Sequence, residues 1–283
     1  MSLSEHLQAE DVLAATRGRG PEVLRNAILD RGRQWYAEHP DEIGIIEKNL
    51  TTFGISADPE AVEEVKTHIL LHYFEKLIPL ICTPGGYREY LDGAVDARNG
   101  IRRIVDLRNG GRGILLAVSH FGAVELVAPL LAAHRLPVTA ALRYKTEHLS
   151  GMAHRQARAF EESGRFGPIR IIEVGKPGTQ AALEMAAAVR RGDVLITVFD
   201  ERTEYSVPVD LFRTKVWGGA GLDRLLRFSG GTIALCTAYM IRDGQDHYRL
   251  EVDEISADEP DPIQALYDRQ QHMVERHPEQ WYF

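Results

Sequence analysis

The chain has 283 residues, enough for one large α/β domain or a domain with a helical cap, and its 44% hydrophobic content allows a sizeable core. A formal net charge of −8 argues against a nucleic-acid binder, and two cysteines in this length argue against a disulfide framework and for a reducing compartment. Residues 1–17 are polar and interrupted by charges, so no signal peptide is expected, and no run approaches the roughly 20 apolar residues that span a bilayer.

The pattern predicts an α/β protein: a central, mostly parallel sheet flanked by helices, with an N-terminal helical elaboration. Residues 1–85 read as the helical segment and 86–283 as the α/β core, one compact domain together. Pro21 opens a helix with Leu24, Ile28, Trp35 and Tyr36 on helical spacing. Asp58-Pro59-Glu60 is a capped helix start, followed by Val65, Ile69, Tyr73 and Leu77 on one face of residues 61–80. The stripe suits a cap packed on the sheet before it suits a dimer face or a membrane-facing surface. His68 and His72, with Glu64 a turn earlier, have zinc-compatible spacing. No further ligand cluster accompanies them, so no metal is expected.

Asp96 can cap a helix over residues 97–109, which carries Arg98, Arg102, Arg103 and Arg108 and leads to Arg112. These arginines could meet an acidic carrier protein, a phosphate or anionic headgroups, or simply solvent. Ile114 to Val118 is a short unbroken apolar run, which predicts a buried parallel strand. It ends at Ser119-His120, and Gly122 opens a helical pattern to about His134 with Glu125 in its first turn. The imidazole then stands at the carboxyl end of a central strand, where open α/β sheets keep their ligand crevices. Glu125 can fold back, accept the ring N–H, fix the tautomer and leave the other nitrogen as a base. No G-x-S-x-G elbow is present, and neither Cys82 nor Cys236 lies in a reactive-looking motif. A histidine–carboxylate pair without its own nucleophile suits chemistry in which the substrate supplies the hydroxyl or amine.

Val138–Leu142 reads as the next strand, and residues 144–163 as a loop and a polar helix with His148, His154, Arg155 and Arg158. A strand at 169–174, a helix at 178–191 and a strand at 194–199 follow, the last ending in Asp200-Glu201. Those two carboxylates can orient an acceptor, support the histidine, or cap their own loop. Gly218-Gly219-Ala220-Gly221, preceded by Arg213 and Lys215, opens a helix to Arg227 and can hold a phosphate or oxyanion, or allow close packing. Residues 231–240 and 248–252 read as strands, the second at an edge. A last helix from Asp261-Pro262 to about Arg276 leads into His277-Pro278-Glu279-Gln280-Trp281-Tyr282-Phe283, an aromatic clamp onto the core.

Ser119-His120-Phe121-Gly122-Ala123-Val124-Glu125 resembles the His-x4-Asp/Glu motif of the glycerolipid acyltransferase superfamily. It is most similar to the lipid A biosynthesis (late) acyltransferases, whose motif commonly reads His-x-Gly-Asn-Trp-Glu; here Ala123-Val124 stands for Asn-Trp. The resemblance continues through the Gly192-Asp193 turn and Asp200, Val207-Pro208 and the terminal Pro-Glu-Gln-Trp. It implies His120 as general base oriented by Glu125, and substrate contacts at Arg155 or Arg158, Asp200, Glu201 and Gly219. The implied donor is an acyl thioester on acyl carrier protein or coenzyme A, whose phosphopantetheine arm serves as co-substrate, with no other cofactor. The implied acceptor is lipid-like or a small molecule, handled in the cytoplasm or by peripheral contact with the inner face of a membrane. The family usually carries an N-terminal membrane anchor, and the polar residues 1–17 are not expected to form one. A soluble acyltransferase or thioesterase of natural-product assembly, or a non-catalytic acyl- or carrier-protein-binding homologue, are the alternative readings. Trp35, Tyr36, Trp281 and Tyr282 are the candidate exposed aromatics for a membrane contact.

Overall fold

The computed structural model describes residues 2–144, 146–175, 179–219, 221–229, 232–244 and 246–281, without the side chains of His148 and Thr179. Gly178, Ala220, Gly231, Tyr282 and Phe283, used above, lie outside the described residues.

Six helices come first: α1 (Leu3–Leu7), α2 (Glu10–Thr16), α3 (Pro21–Glu38), α4 (Pro40–Thr52), α5 (Pro59–Ile81) and α6 (Pro84–Ala94). Prolines open four of them, each supplying a fixed φ at a position whose N–H has no helical partner. At α5 the Asp58 carboxylate also accepts from the Ala61 N–H at 2.9 Å. The α/β part follows: β1 (Val95–Asp96), α7 (Arg98–Asn109), β2 (Gly113–Val118), a 3-10 turn (Val124–Leu126), α8 (Val127–Ala133), β3 (Val138–Leu142), α9 (Glu147–Glu162), β4 (Ile169–Glu173), α10 (Thr179–Arg190) and β5 (Val194–Val198). After these come β6 (Val207–Leu211), β7 (Thr214–Gly218), α11 (Leu222–Ser229), β8 (Ile233–Arg242), β9 (Tyr248–Glu254), α12 (Pro262–Arg276) and a second 3-10 turn (Pro278–Gln280).

Seven strands form one sheet in the order β1-β9-β8-β2-β5-β3-β4, an α/β architecture with a mostly parallel centre. Only the β8–β9 pair is antiparallel. The expected edge position of β9 is corrected: the two residues of β1 pair parallel to it and take the edge. β2 lies between β8 and β5 with both faces covered, which explains why its sequence is apolar without alternation. Ile114, Leu116 and Val118 face the core shared with α1 to α8, whereas Leu115 and Ala117 face the core under α10 to α12. The N-terminal helices therefore build one half of the interior, with Leu24, Ile28, Trp35, Val65, Phe74 and Leu77 all buried.

Three local expectations change. The helix predicted from Gly122 begins later, because residues 124–126 form a 3-10 turn before α8. Ala97 and not Asp96 is the N-cap of α7, although Asp96 accepts from the Arg98 N–H at 3.3 Å. The Val207-Pro208 segment is one arm of a β6–β7 hairpin, turned at Phe212-Arg213 with both residues at positive φ. Asp193, buried after the Gly192 turn, accepts from Thr139 at 2.7 Å and Arg191 at 2.9 Å, tying the start of β5 to β3.

Candidate active site

The parallel register places the key groups. β2 and β5 pair Val118 with Val198, so two steps further His120 stands opposite Asp200, both just past their strands. The Asp200 carboxylate accepts twice from His120, at 2.8 Å from its main-chain N–H and at 3.0 Å from ring Nδ1. A carboxylate only accepts, so the bond fixes the Nδ1–H tautomer and leaves the Nε2 lone pair outward. The ring is 42% exposed, while the Asp200 side chain is 14% exposed behind it. Nε2 is 3.9 Å from Glu201 Oε1, too long for a hydrogen bond but close enough to feel the charge. The hydrogen bond to Asp200 and the charges of Asp200, Glu201 and Glu125 raise the imidazole pKa above 6.5 against its partial burial.

Glu125 does not stand where the sequence places it. Its Oε1 is 3.7 Å from His72 Nε2 on α5, and the hydrogen bond expected of it on the His120 ring is made by Asp200. Glu125 sits in the 3-10 turn of residues 124–126, which sets it on the cleft wall. It still acts on His120 through its charge.

The turn between them is held by buried polar contacts. Gly122 has φ +58°, donates its N–H to the Gln280 carbonyl at 2.8 Å and passes so close to β8 that a Cβ would lie 2.1 Å from the Met240 oxygen. The Gly122 carbonyl accepts from Arg242 Nη2 at 2.9 Å. Arg242 is buried and bidentate to Glu75 of α5, at 2.6 and 2.7 Å. Gln280 brackets Arg242, accepting from its N–H and donating to its carbonyl, both at 2.9 Å. The terminal Pro-Glu-Gln-Trp thus clamps the loop that carries His120, with Trp281 packed on Phe53 and bridged to Phe121. Sequence reasoning missed Arg242 and Glu75, since no local pattern links residues 167 positions apart.

His68 and His72 do not converge as a metal pair. His68 Nδ1 lies 3.2 Å from Arg242 Nη1, and His72 turns to Glu125. Burial, then Arg242, pushes the His68 pKa down to about 3, and burial pushes His72 well below its usual value. Among the described residues no group of three or more His, Cys, Asp or Glu side chains is placed to hold a metal ion.

His120, Glu125 and Glu201 line one open cleft of about 2370 Å³, bounded by α1, α2 and α5 on one side and by α9, α10 and α11 on the other. Its wall is largely apolar, with Leu77, Val124, Leu142, Met152 and Ile171 among the lining residues. Of the two candidate arginines, Arg155 lines the cleft and Arg158 does not. Gly219 is not on the wall: its N–H donates to the Phe199 carbonyl at 2.8 Å, and a Cβ would meet Ile263 at 2.7 Å, so it serves helix packing. Neighbouring Gly221 does line the cleft. Ser119, beside the histidine, is buried and donates to Gln270 at 2.6 Å; neither Cys82 nor Cys236 reaches the cleft. The basic α7 lies away from it, with Arg103 and Arg112 paired to Glu254. Trp35, Tyr36 and Trp281 are buried, which corrects their reading as exposed aromatics; large exposed side chains among the cleft-lining residues are Leu183 at 69%, Phe228 at 88% and Tyr205 at 37%. No helix among the described residues is long and apolar enough to cross a membrane.

The fold is α/β, and at the carboxyl edge of its sheet a strand-end histidine held by a strand-end carboxylate opens on a largely apolar cleft. Residues 59–283 match the family of bacterial lipid A biosynthesis acyltransferases, and the chain belongs to that family of acyltransferases. No curated protein matches the chain.

Proposed function

We propose that the protein transfers an acyl group from a thioester, on acyl carrier protein or coenzyme A, to a hydroxyl or amine of a lipid-like acceptor. The observation that carries this reading is His120 Nε2, its ring fixed through Nδ1 by Asp200, on the wall of a cleft of about 2370 Å³. Nε2 takes the proton of the acceptor as its oxygen or nitrogen attacks the thioester carbonyl. The tetrahedral intermediate collapses with cleavage of the C–S bond, and the imidazolium returns the proton to the departing thiolate. Glu201, beside Nε2, orients the acceptor. Asp200 holds the ring and stabilises the imidazolium, and Glu125 adds its charge from the wall. Arg155 and the other cations of the wall offer partners to phosphate on either substrate.

The cleft exceeds the roughly 300–1,000 Å³ of ordinary small-molecule sites, which favours a long acyl chain together with a lipid over a small metabolite. The exposed Leu183 and Phe228 of its lining favour entry of that lipid from a bilayer surface by peripheral contact.

The test incubates bacterial lipid extract with dodecanoyl-coenzyme A or the matching acyl carrier protein thioester, and reads lipids gaining one acyl mass by mass spectrometry. His120→Ala should abolish the gain with the fold intact. Thiol release of equal rate without any lipid would favour thioester hydrolysis instead.

A further inference from the structure

We propose that Tyr144 is a further catalytic residue, its hydroxyl donating a hydrogen bond to the acyl carbonyl oxygen as the thioester is attacked. The inference rests on the acyl-transfer reading above. It begins with register. β3 and β5 pair Ala141 with Thr197, so three steps further Tyr144 stands level with Asp200, as His120 does on the other flank. Three adjacent strand ends therefore bring His120, Asp200 and Tyr144 to one level of the sheet's carboxyl edge. With strands about 4.8 Å apart, His120 and Tyr144 emerge roughly 10 Å from one another, on the two sides of Asp200.

Both residues line the same cleft. The Tyr144 oxygen is buried and has no hydrogen-bond partner among the described residues. A buried hydroxyl without a partner costs folding free energy, so its retention points to a ligand oxygen that completes it. Tyr87 and Tyr239 also carry such hydroxyls, but neither lines the cleft. Burial, and the charges of Glu125 and then Glu173, push the Tyr144 pKa up to about 12. The group is therefore a donor throughout the working range and not a base.

The step balances without a proton from Tyr144. The acceptor's proton passes to His120, a bond forms from acceptor to carbonyl carbon, and the carbonyl electrons move to its oxygen. That oxygen carries the charge that the Tyr144 O–H stabilises until the C–S bond breaks and the thiolate leaves with the proton from His120. Gln156 Nε2 on α9, also buried without a partner among the described residues and on the cleft wall, is a rival donor.

The full chain is assayed with dodecanoyl-coenzyme A and vesicles of bacterial lipid extract, following thiol release and acylated lipid. Tyr144→Phe should lower kcat by about 10²–10³-fold, leave KM within a few-fold, keep the pH midpoint of the His120 limb, and leave Tm unchanged or higher. Wild-type kcat in Tyr144→Phe, with His120→Ala inactive, would overturn this inference alone. A loss of kcat accompanied by a lowered Tm would mark a structural role and also overturn it. So would a loss confined to Gln156→Leu. Full activity in His120→Ala would instead remove the acyl-transfer reading on which it rests.

Discussion

Asp200 binds His120 at two points, main-chain N–H and ring Nδ1, and so fixes both where the residue sits and which tautomer it carries. One carboxylate doing both follows from the parallel register of β2 and β5, which sets residues 120 and 200 opposite each other past the strand ends.

The first prediction concerns pH. The hydrogen bond to Asp200 is the largest cause of the raised His120 pKa, and in the proposed role of general base His120 works only when neutral. kcat/KM should therefore rise with pH through a midpoint above 6.5. In Asp200→Asn the midpoint should move down while the plateau falls by about 10²–10⁴-fold, since the amide no longer enforces the tautomer. Glu125→Gln and Glu201→Gln should move the midpoint down by less, because they act by charge alone. A raised histidine pKa also stabilises the fold, fully below the unfolded value of about 6.5, and this contribution is lost as pH rises through the folded value. pH–rate profiles of the three variants against wild type check the ranking.

Much of this site was legible in the sequence, because its signals are local. The apolar run of β2 announced a buried strand, and the Ser119-His120 step that ends it placed the histidine at the strand's carboxyl end. Asp200-Glu201 was legible the same way, at the end of the apolar run of β5. The choice of partner was not. Glu125 is near in sequence, but it sits in a 3-10 turn and lies by His72, whereas Asp200 is 80 positions away and adjacent only through sheet register. The hairpin of β6 and β7 was missed because its turn residues are Phe212 and Arg213, which are unusual at positive φ. The glycines after it left an anion cradle and close packing both open, and Gly219 takes the second, by the approach of Ile263.

The second prediction concerns Gly122. Its Cβ would strike a backbone oxygen of β8, which cannot swing aside as a side chain does, and its φ of +58° is strained for alanine. Gly122→Ala should cost roughly 2–4 kcal/mol of stability. It should also lower kcat at least tenfold by moving the turn that follows His120. Denaturant unfolding together with kinetics on the folded fraction measures both; a variant with wild-type stability and rate would show that the turn adapts.

The third prediction concerns Arg242 and Glu75. The pair is fully buried, and burial pushes the Glu75 carboxyl upward while the guanidinium opposes the shift. Arg242→Met removes the cation paired with Glu75 and the bond from Arg242 to the Gly122 carbonyl, so it should cost about 3–5 kcal/mol. Glu75→Leu strands the arginine and should cost a similar amount. The double variant removes both charges, and packed apolar side chains should recover most of the stability. Activity should not recover with it, because the bond from Arg242 to the Gly122 carbonyl, in the turn that follows His120, is still lost. A double variant that regains stability and rate together would reduce the pair to packing; one that regains stability alone assigns Arg242 to positioning the loop that carries His120.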